Sequence, residues 1–245
     1  FFLDYFGTGA LDPDVGAAVV SGIAEGCRQA GCALVGGETA ELPGMYPPGE
    51  YDLAGFAVGV VDRRRVIDGR AVTPGQAVVG AFSSGIHANG LSLARKVLLE
   101  HAGLALDAPL APGVEETVAD ALLEPTRIYA AAVARLLVEA RPHALAHITG
   151  GGVPGNLPRV LPEDVAVELD RSRWPVPRVF ERIRELGRVA SDEMDRAFNM
   201  GLGLIAVVDD APAALAALGA EGIGGAEIGR TVPRADPGGP AVIYR

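Results

Sequence analysis

The sequence predicts an α/β (α+β) protein of two domains. Apolar runs of strand length alternate with segments whose apolar residues recur at helical spacing, and glycine-rich turns separate them. A basic, turn-rich stretch over residues 62–74 interrupts this pattern and indicates a joint between domains. We therefore expect residues 1–65 to belong to one domain and residues 74–245 to a second, both with mixed sheets.

The first domain opens with a predicted strand–helix–strand unit. Residues 1–6 are apolar and aromatic, which is typical of a buried strand. Asp12 is a predicted N-cap, Pro13 occupies the first helical position, and the helical spacing ends near Gly31. Residues 32–35 are the next strand, so the helix can connect two parallel strands. Residues 51–61 predict a third strand.

The second domain continues the alternation. Its elements are read from apolar periodicity and from helix start signals, including the hydroxyl and acidic pattern that begins at Ser191. The predicted strands are residues 77–82, 143–148, 165–169, 202–208 and 241–244, and the predicted helices are residues 89–101, 125–140, 176–186 and 211–218, with a helix start at residue 191.

Composition and charge exclude several function classes. A formal net charge of -10 argues against a general nucleic-acid or anionic-membrane binder, although backbone donors can still hold small phosphorylated ligands. No apolar run is long enough to cross a bilayer, and no signal peptide opens the chain. The two cysteines, Cys27 and Cys32, form no disulfide framework, so we expect a cytoplasmic protein. The aromatic start without Met predicts a truncated N-terminus.

The first glycine-rich segment, residues 35–41, is a candidate metal site. Gly36 and Gly37 permit close approach of a ligand to the backbone because they lack a Cβ atom. We expect the strand to end there, with Glu38 and Glu41 at its mouth. Carboxylates in such a place suit Mg²⁺, which binds one or two protein oxygens and substrate phosphates. A tight turn with solvated acids is the alternative.

The second segment, residues 83–90, lies between a predicted strand and helix. Such a loop offers unpaired N–H groups and a helix dipole to a phosphate. Gly85, Gly90 and Ser92 match part of the pattern GxxxxGK[ST], but Leu91 occupies the lysine position, so a nucleoside triphosphatase of the P-loop class is excluded. An anion site or a plain loop both remain open.

The third segment, residues 149–155, follows His147 and a strand. Gly150, Gly152 and Gly155 satisfy GxGxxG, and Asp170 lies 20 residues after Gly150, the outline of a dinucleotide-binding fingerprint. Pro154 and Pro158 interrupt the helix that should follow it, which favours a phosphate or main-chain turn. His147 is either an acid–base group at this turn or a strand histidine bound to its neighbours.

These segments, in this order, resemble the phosphoribosylformylglycinamidine cyclo-ligase family. The resemblance runs over almost the whole chain. It is carried by the motifs FFLDYFGTGALDPD, SGIAEGCRQAGCALVGGETAELPGMY, FSSGIHANGLSLARK, LLEPTRIY, HITGGGVPGNLPRVLP and EMDRAFNMGLGL.

The resemblance implies a fold and an activity. It implies an N-terminal domain that contributes strands to a barrel shared across a homodimer, and a C-terminal α+β domain that closes a cleft. It implies ATP-dependent conversion of formylglycinamidine ribonucleotide into aminoimidazole ribonucleotide, ADP and phosphate, in purine biosynthesis. The amide oxygen would take the γ-phosphoryl group, a substrate nitrogen would close the ring, and phosphate would leave.

Site residues follow from the resemblance by position. ATP and Mg²⁺ would bind at Glu38, the chosen metal ligand, with Asp4, Glu41, Gly36 and Gly37 nearby. The substrate phosphate would lie against Ser83, Ser84, Gly85, His87, Asn89 and Gly90, and the cleft would be lined by His147, Thr149, Gly150, Gly151 and Gly152. We expect no decisive general base, because phosphoryl transfer depends on positioning and charge stabilisation.

The chain departs from the family pattern at its N-terminus, where a flexible glycine-rich loop, a DGVGTK-type segment and an Asn-Asp pair are absent. We therefore expect this polypeptide alone to be impaired. Three alternative functions remain open. They are an ATP-using kinase of small phosphate esters, a nicotinamide-dependent oxidoreductase built on the GxGxxG pattern, and a non-catalytic module that binds a phosphorylated ligand.

Overall fold

The computed structural model describes residues 1–236 and 238–245. The chain divides into two compact units. The first contains Phe1–Val66 and Ile128–Ala131, and the second contains Ile67–Arg127 and Ala132–Arg245. The fold class expected from the sequence, α/β (α+β), is confirmed. Among the described residues, no helix is long and apolar enough to span a membrane.

A three-stranded sheet forms the centre of the first unit. Its strands are β1 (Phe2–Thr8), β2 (Leu34–Glu41) and β3 (Tyr51–Ala57), in the order β2-β1-β3. β1 pairs in parallel with β2 and antiparallel with β3. Helix α1 (Pro13–Ala30) connects the two parallel strands. The predicted strand–helix–strand unit is therefore confirmed.

Helix α1 begins and ends at the residues that the sequence indicates. The Asp12 carboxylate accepts hydrogen bonds from the amides of Asp14 and Val15, which satisfies two N–H groups of the first turn. Gly31 ends the helix with φ 64°, a left-handed conformation that favours glycine. Local sequence therefore fixes both ends of this helix.

The second unit contains a six-stranded sheet with the strand order β5-β7-β4-β8-β6-β9. β9 pairs in parallel with β6, and the other neighbouring strands are antiparallel. All seven residues of β7 are buried, as expected for a continuous apolar strand between two others and covered on both faces. The strands are β4 (Ala77–Phe82), β5 (Ala144–His147), β6 (Val165–Leu169), β7 (Leu202–Val208), β8 (Gly225–Pro233) and β9 (Val242–Tyr244).

Helices and short 3-10 turns connect these strands. Helix α2 continues without a break into a π-helical segment, Lys96–His101. Phe180 and Phe198 lie in the core that packs around this segment, with ring centroids 5.4 Å apart. The helices are α2 (Leu91–Arg95), α3 (Val118–Leu123), α4 (Ala130–Glu139), α5 (Gly152–Asn156), α6 (Arg178–Gly187), α7 (Ser191–Ala197) and α8 (Ala211–Ala220).

The end of β2 differs from the sequence prediction. We expected the strand to end at two glycines, but β2 runs on to Glu41, paired residue by residue with β1 from Leu3 to Thr8. The predicted turn at residues 35–41 is therefore wrong. The physical reason is the pairing with β1. Glycine has a low intrinsic preference for strands, but the hydrogen bonds of the parallel pair keep Gly36 and Gly37 extended.

Other boundaries shift because local signals compete. The helix predicted over residues 125–140 begins only at Ala130, and an unpredicted helix, α3, precedes it with a capping box between Thr117 and Asp120. The strand predicted over residues 51–61 ends at Ala57. Strand β8 was not predicted, because its glycines obscure the apolar pattern. At Gly229 a Cβ atom would overlap the carbonyl of Glu168 on the neighbouring strand.

A matched pair of leucines tests the assignment of the core. Leu136 is 1% exposed and Leu123 is 77% exposed. Replacing Leu136 with Ala should lower the free energy of unfolding by about 2–5 kcal/mol, because it removes buried methyl groups and leaves a cavity. The Leu123→Ala change should stay within about 0.5 kcal/mol. Denaturant unfolding measures both, and equal effects would contradict this core.

Candidate functional site

Three motif-bearing segments meet at one edge of the six-stranded sheet. β7 runs antiparallel to both β4 and β5, so its first residues lie beside the last residues of those strands. The pairing continues just beyond the strands, where the Ser83 amide donates to the Gly201 carbonyl and the Ile148 amide donates to the Gly203 carbonyl. The segments that follow β4 and β5 and the segment that precedes β7 are therefore neighbours.

The loop after β4, residues 83–90, is folded around the imidazole of His87. His87 is buried and has φ 62°, a left-handed conformation that is uncommon for a side chain with a Cβ atom. Its Nε2 atom accepts hydrogen bonds from the amide of Ser84 at 3.1 Å and from the amide of Arg127 at 3.4 Å. The Ser84 hydroxyl donates to the Pro125 carbonyl at 2.7 Å. The loop is thus fastened to residues 125–127.

These contacts fix the protonation state of His87. An Nε2 atom that accepts two N–H groups carries no proton, so the ring is neutral. Burial first, then the nearby His147 and Arg127, lower the pKa of His87 to about 4. A neutral, internally bonded imidazole does not supply positive charge to an anion. The amide and the hydroxyl of Ser84 also bind groups inside the fold. We expected Ser84 and His87 to contact the phosphate directly, but these polar groups are already used in the loop itself.

The turn after β5 is held by one asparagine that the sequence analysis missed. The side-chain amide of Asn156 donates to the carbonyls of Thr149, Gly150 and Gly152, the last at 2.8 Å. The Thr149 hydroxyl donates to the Asn156 side-chain oxygen at 3.2 Å. These bonds curl the turn into α5, and its glycines are therefore shaped by a single buried side chain.

A second asparagine, Asn199, closes the site from the segment before β7. Its side-chain amide donates to the carbonyls of Gly85 and Ile86 at 2.9 and 3.1 Å, and its side-chain oxygen accepts from the amide of Gly201. The signal in the sequence is a polar residue within an otherwise apolar stretch, followed by Met200 and Gly201. Asn156 and Asn199 act alike: each binds backbone groups of a glycine-rich loop.

Glycine is required where the segments touch. At Gly152, φ is 57° and a Cβ atom would overlap the carbonyl oxygen of Asp195. At Gly90, a Cβ atom would overlap the ring of Phe198. A Cβ atom on Gly150 would lie 3.3 Å from the side-chain oxygen of Asn89. The glycines thus permit close packing between loops, besides any approach of a ligand.

The predicted ATP and Mg²⁺ residues lie in the first unit, on adjacent strands. Asp4 pairs with Gly37, and a Cβ atom on Gly37 would overlap the Asp4 carboxylate. Side chains alternate along a strand, so Glu38 projects from the face opposite Gly37 and Asp4. By the same alternation Glu41 and Glu38 face opposite sides, which corrects the expectation that both carboxylates meet at one strand mouth.

The carboxylates of this sheet are suitable magnesium ligands by type, but they do not cluster. Among the described residues, no group of three or more His, Cys, Asp or Glu side chains could hold a metal ion. Glu38 is exposed, and within residues 1–236 and 238–245 its carboxylate accepts only from the neighbouring Thr39 amide, at 3.1 Å. The Glu41 carboxylate binds the Leu11 amide at 2.6 Å. Glu38 therefore fits a metal held largely by ligand phosphates better than Glu41 does.

The dinucleotide-binding interpretation does not fit the structure. The GxGxxG turn leads into α5, which is only five residues long, and β5 pairs antiparallel with β7. Asp170, the expected ribose ligand, accepts from the amide and hydroxyl of Ser172 and pairs with Arg173. A Rossmann site needs parallel strands, a longer helix and an available carboxylate.

Two family models match the chain. One is described as "AIR synthase related protein, N-terminal domain" and matches residues 1–61. The other is described as "AIR synthase related protein, C-terminal domain" and matches residues 73–239. Together they define the class of protein as AIR synthase related.

Curated relatives give a narrower family. The chain is 57% identical to the phosphoribosylformylglycinamidine cyclo-ligase of Myxococcus xanthus (strain DK1622) over 232 residues, which are 94% of this chain and 67% of that protein. It is 54% identical to that of Symbiobacterium thermophilum, over 100% of this chain and 70% of that protein. The chain belongs to the phosphoribosylformylglycinamidine cyclo-ligase family, a family of enzymes, and spans about two thirds of the length of these relatives.

Solved structures with the same fold are more distant in sequence. Thiamine-monophosphate kinase from Stenotrophomonas maltophilia K279a superposes with a TM-score of 0.68 at 21% identity, over 99% of this chain and 71% of that one. E. coli HypE gives 0.66 at 21% identity, over 99% of this chain and 69% of that one. T. maritima PurL complexed with AMPPCP gives 0.53 at 17% identity, over all of this chain and 35% of that one. These similarities establish the fold alone.

Two glycines of the turn after β5 provide a matched test of loop packing. Gly152→Ala should lower the free energy of unfolding by at least about 1–3 kcal/mol, because the residue has positive φ and its Cβ atom would overlap Asp195. Gly155→Ala should be tolerated, since among the described residues no atom outside its chain neighbours and the backbone of its own helix lies within 4 Å of a Cβ atom there. Thermal unfolding distinguishes the two, and equal tolerance would refute the contact.

The buried, neutral His87 predicts a pH dependence of stability. Its pKa is lowered from 6.5 to about 4 in the folded chain, so between these values the unfolded chain binds a proton that the folded chain does not. The contribution of His87 to the free energy of unfolding should therefore fall as pH drops from about 6.5 and level off below about 4. His87→Asn removes this titration, so the difference in unfolding free energy between wild type and variant should change across that window. If the unfolding free energies of wild type and variant change in parallel with pH, His87 is not a buried group with a lowered pKa.

Proposed function

We propose that the full-length protein containing this chain catalyses the ATP-dependent cyclisation of formylglycinamidine ribonucleotide to aminoimidazole ribonucleotide, in purine biosynthesis. The observation that carries the proposal is the 57% identity to the M. xanthus cyclo-ligase over 94% of this chain. Because the chain spans 67% of that relative, the proposal concerns the full-length protein. The two loops at the edge of the six-stranded sheet support it, since close-packed glycine loops are suited to phosphorylated ligands.

The reaction requires that a poor leaving group be activated. The amide oxygen of the substrate attacks the γ-phosphorus of ATP, the bond from that phosphorus to the bridging oxygen breaks, and ADP leaves. A substrate nitrogen then attacks the activated carbon and loses its proton. The carbon–oxygen bond breaks, the five-membered ring closes, and inorganic phosphate departs. The protein's part is positioning and charge stabilisation, so we name no general base.

For the nucleotide we propose the first unit. Glu38 is our first choice for contacting Mg²⁺–ATP, because its carboxylate is exposed and accepts one hydrogen bond, from the neighbouring Thr39 amide, in the part of the chain that the structure describes. Asp4 ranks second and Glu41, which holds the Leu11 amide, ranks third. Gly36 and Gly37 would allow phosphates to approach the strand. When bound, Mg²⁺ would neutralise charge on the transferred phosphoryl group.

For the phosphorylated substrate we propose the loops of the second unit. Asn89 faces the turn after β5, where its side chain approaches Gly150, and the adjacent Gly90 packs against Phe198. Gly85, Gly151 and the Thr149 region complete the surface we assign to the ligand. Ser84 and His87 would shape it from behind, because their polar groups already bind backbone atoms. His147, at the exposed end of β5, stays a candidate cleft residue.

Two further properties belong to this proposal. The sheet β2-β1-β3 has two edge strands and exposes large apolar side chains, including Val35 at 59% and Phe56 at 60%. Such edges and side chains are typical of a surface that pairs with another chain, so we propose a homodimer.

The free cysteines Cys27 and Cys32 favour the reducing cytoplasm as the location of the protein.

Product formation by the full-length protein tests the function. We expect ADP release that depends on formylglycinamidine ribonucleotide and is matched by aminoimidazole ribonucleotide in equal amount. Glu38→Gln should lower kcat roughly 10²-fold, if its carboxylate stabilises charge at the transferred phosphate. Glu50→Gln is the matched control, because that side chain is exposed on a loop before β3. ADP formed without ring closure would identify a kinase instead, and untouched ATP would sink the proposal.

A further inference from the structure

Two buried polar atoms at the base of the loop after β4 have no hydrogen-bond partner among the described residues. They are the hydroxyl oxygen of Ser83, a residue that is only 8% exposed, and the Nε atom of Arg127. Buried polar groups in folded proteins almost always have partners, and leaving one without a partner is costly. A pair of such atoms beside a glycine loop therefore indicates that a ligand supplies the missing acceptor.

The two residues are neighbours because both are tied to His87. The His87 Nε2 atom binds the amide of Ser84, which follows Ser83, and the amide of Arg127. The Ser84 hydroxyl fastens the same loop to Pro125. On the other side, the Ser83 amide is held by the Gly201 carbonyl. One imidazole nitrogen therefore holds the backbone next to Ser83 close to the backbone of Arg127.

The donors of this pair are suited to an anion. Arg127 offers a guanidinium Nε–H group and Ser83 offers a hydroxyl, and both donate to phosphate oxygens. Arg127 makes no ion pair with a carboxylate in residues 1–236 and 238–245, although the protein carries a net charge of -10. An arginine that stays unneutralised in an acidic protein, with a buried nitrogen, is typical of an anion-binding residue.

We propose that the Ser83 hydroxyl and the Arg127 guanidinium together bind a phosphate oxygen of a bound reactant, and that His87 is the positioning residue that holds Arg127 against the loop. This inference rests on the proposed function only for the identity of the reactant, which is either the phosphorylated ribonucleotide or ATP. It adds Arg127, a residue outside all three glycine segments, to the ligand surface of the second unit.

Steady-state kinetics of the full-length protein test the pair. Arg127→Gln should raise KM at least tenfold for one phosphate-bearing reactant while the KM for the other changes less than twofold. A rise for the ribonucleotide identifies its ribose phosphate as the ligand, and a rise for ATP identifies the triphosphate. Arg127→Lys should recover part of the loss, because it keeps the charge without the planar donors. Ser83→Ala should raise the same KM severalfold.

A matched arginine controls for net charge. Arg159 is exposed and lines a different surface cavity with Ile67 and Ala144. Arg159→Gln should leave both KM values unchanged. If Arg127→Gln and Ser83→Ala also leave both KM values unchanged, the two atoms bind only water and the inference is overturned.

Two variants of His87 test its positioning role, because one keeps a side-chain acceptor and the other removes it. His87→Asn keeps a side-chain oxygen that can accept an N–H group and tolerates the left-handed backbone. His87→Ala removes the acceptor. We expect His87→Ala to raise the same KM as Arg127→Gln with a smaller change in kcat, and His87→Asn to restore part of the affinity. A loss of kcat alone in both variants would indicate a different role and would overturn the positioning assignment.

A binding measurement without turnover separates this inference from the proposed function. Inorganic phosphate, added at millimolar concentration, should raise the Tm of the wild-type protein by a few degrees because it binds only the folded state. The shift should be abolished in Arg127→Gln and retained in Arg159→Gln, provided that circular dichroism shows both variants to be folded. This pattern would uphold the anion site even if ATP were never consumed. An equal shift in all three proteins would overturn it.

Discussion

The candidate site of the second unit depends on the antiparallel pairing of β7 with both β4 and β5. This pairing brings the ends of two strands and the beginning of a third to one edge of the sheet. The loops that meet there come from segments that are far apart in sequence, and backbone hydrogen bonds of the central strand hold them in register. The contacts between the glycine loops depend on that arrangement.

Three polar side chains then shape the loops from within. Asn156 and Asn199 donate to carbonyls of glycine-rich segments, and His87 accepts two amides. Each is buried, so these bonds operate away from water, where a polar group without a partner would be costly. The glycines consequently have two uses. Gly152 and Gly90 permit neighbouring segments to pack closely, and a backbone without Cβ atoms also lets a ligand approach.

The first unit has the opposite character. Its three-stranded sheet leaves both edge strands and several apolar side chains exposed, whereas the six-stranded sheet has a central strand that is buried throughout. The proposed division of labour follows this contrast. The exposed sheet, with Glu38 and Asp4 on its opposite faces, is assigned to nucleotide and dimer contacts, and the buried sheet supports the loops assigned to the phosphorylated substrate.

The sequence by itself determined the fold class, the helix α1 with its caps at Asp12 and Gly31, and the family. The caps depend on hydrogen bonds between residues close in sequence, and the family is identified by long continuous motifs. It also located the glycine segments. Only the tertiary structure decided that β2 continues through Glu41, that Glu38 and Glu41 face apart, and that His87 is a buried acceptor. The structure also showed that Asn156 and Asn199 hold the glycine-rich loops, and it supplied the contacts from which a role for Arg127 is proposed. These features depend on strand pairing and on contacts between distant residues, and local sequence carries no record of such contacts.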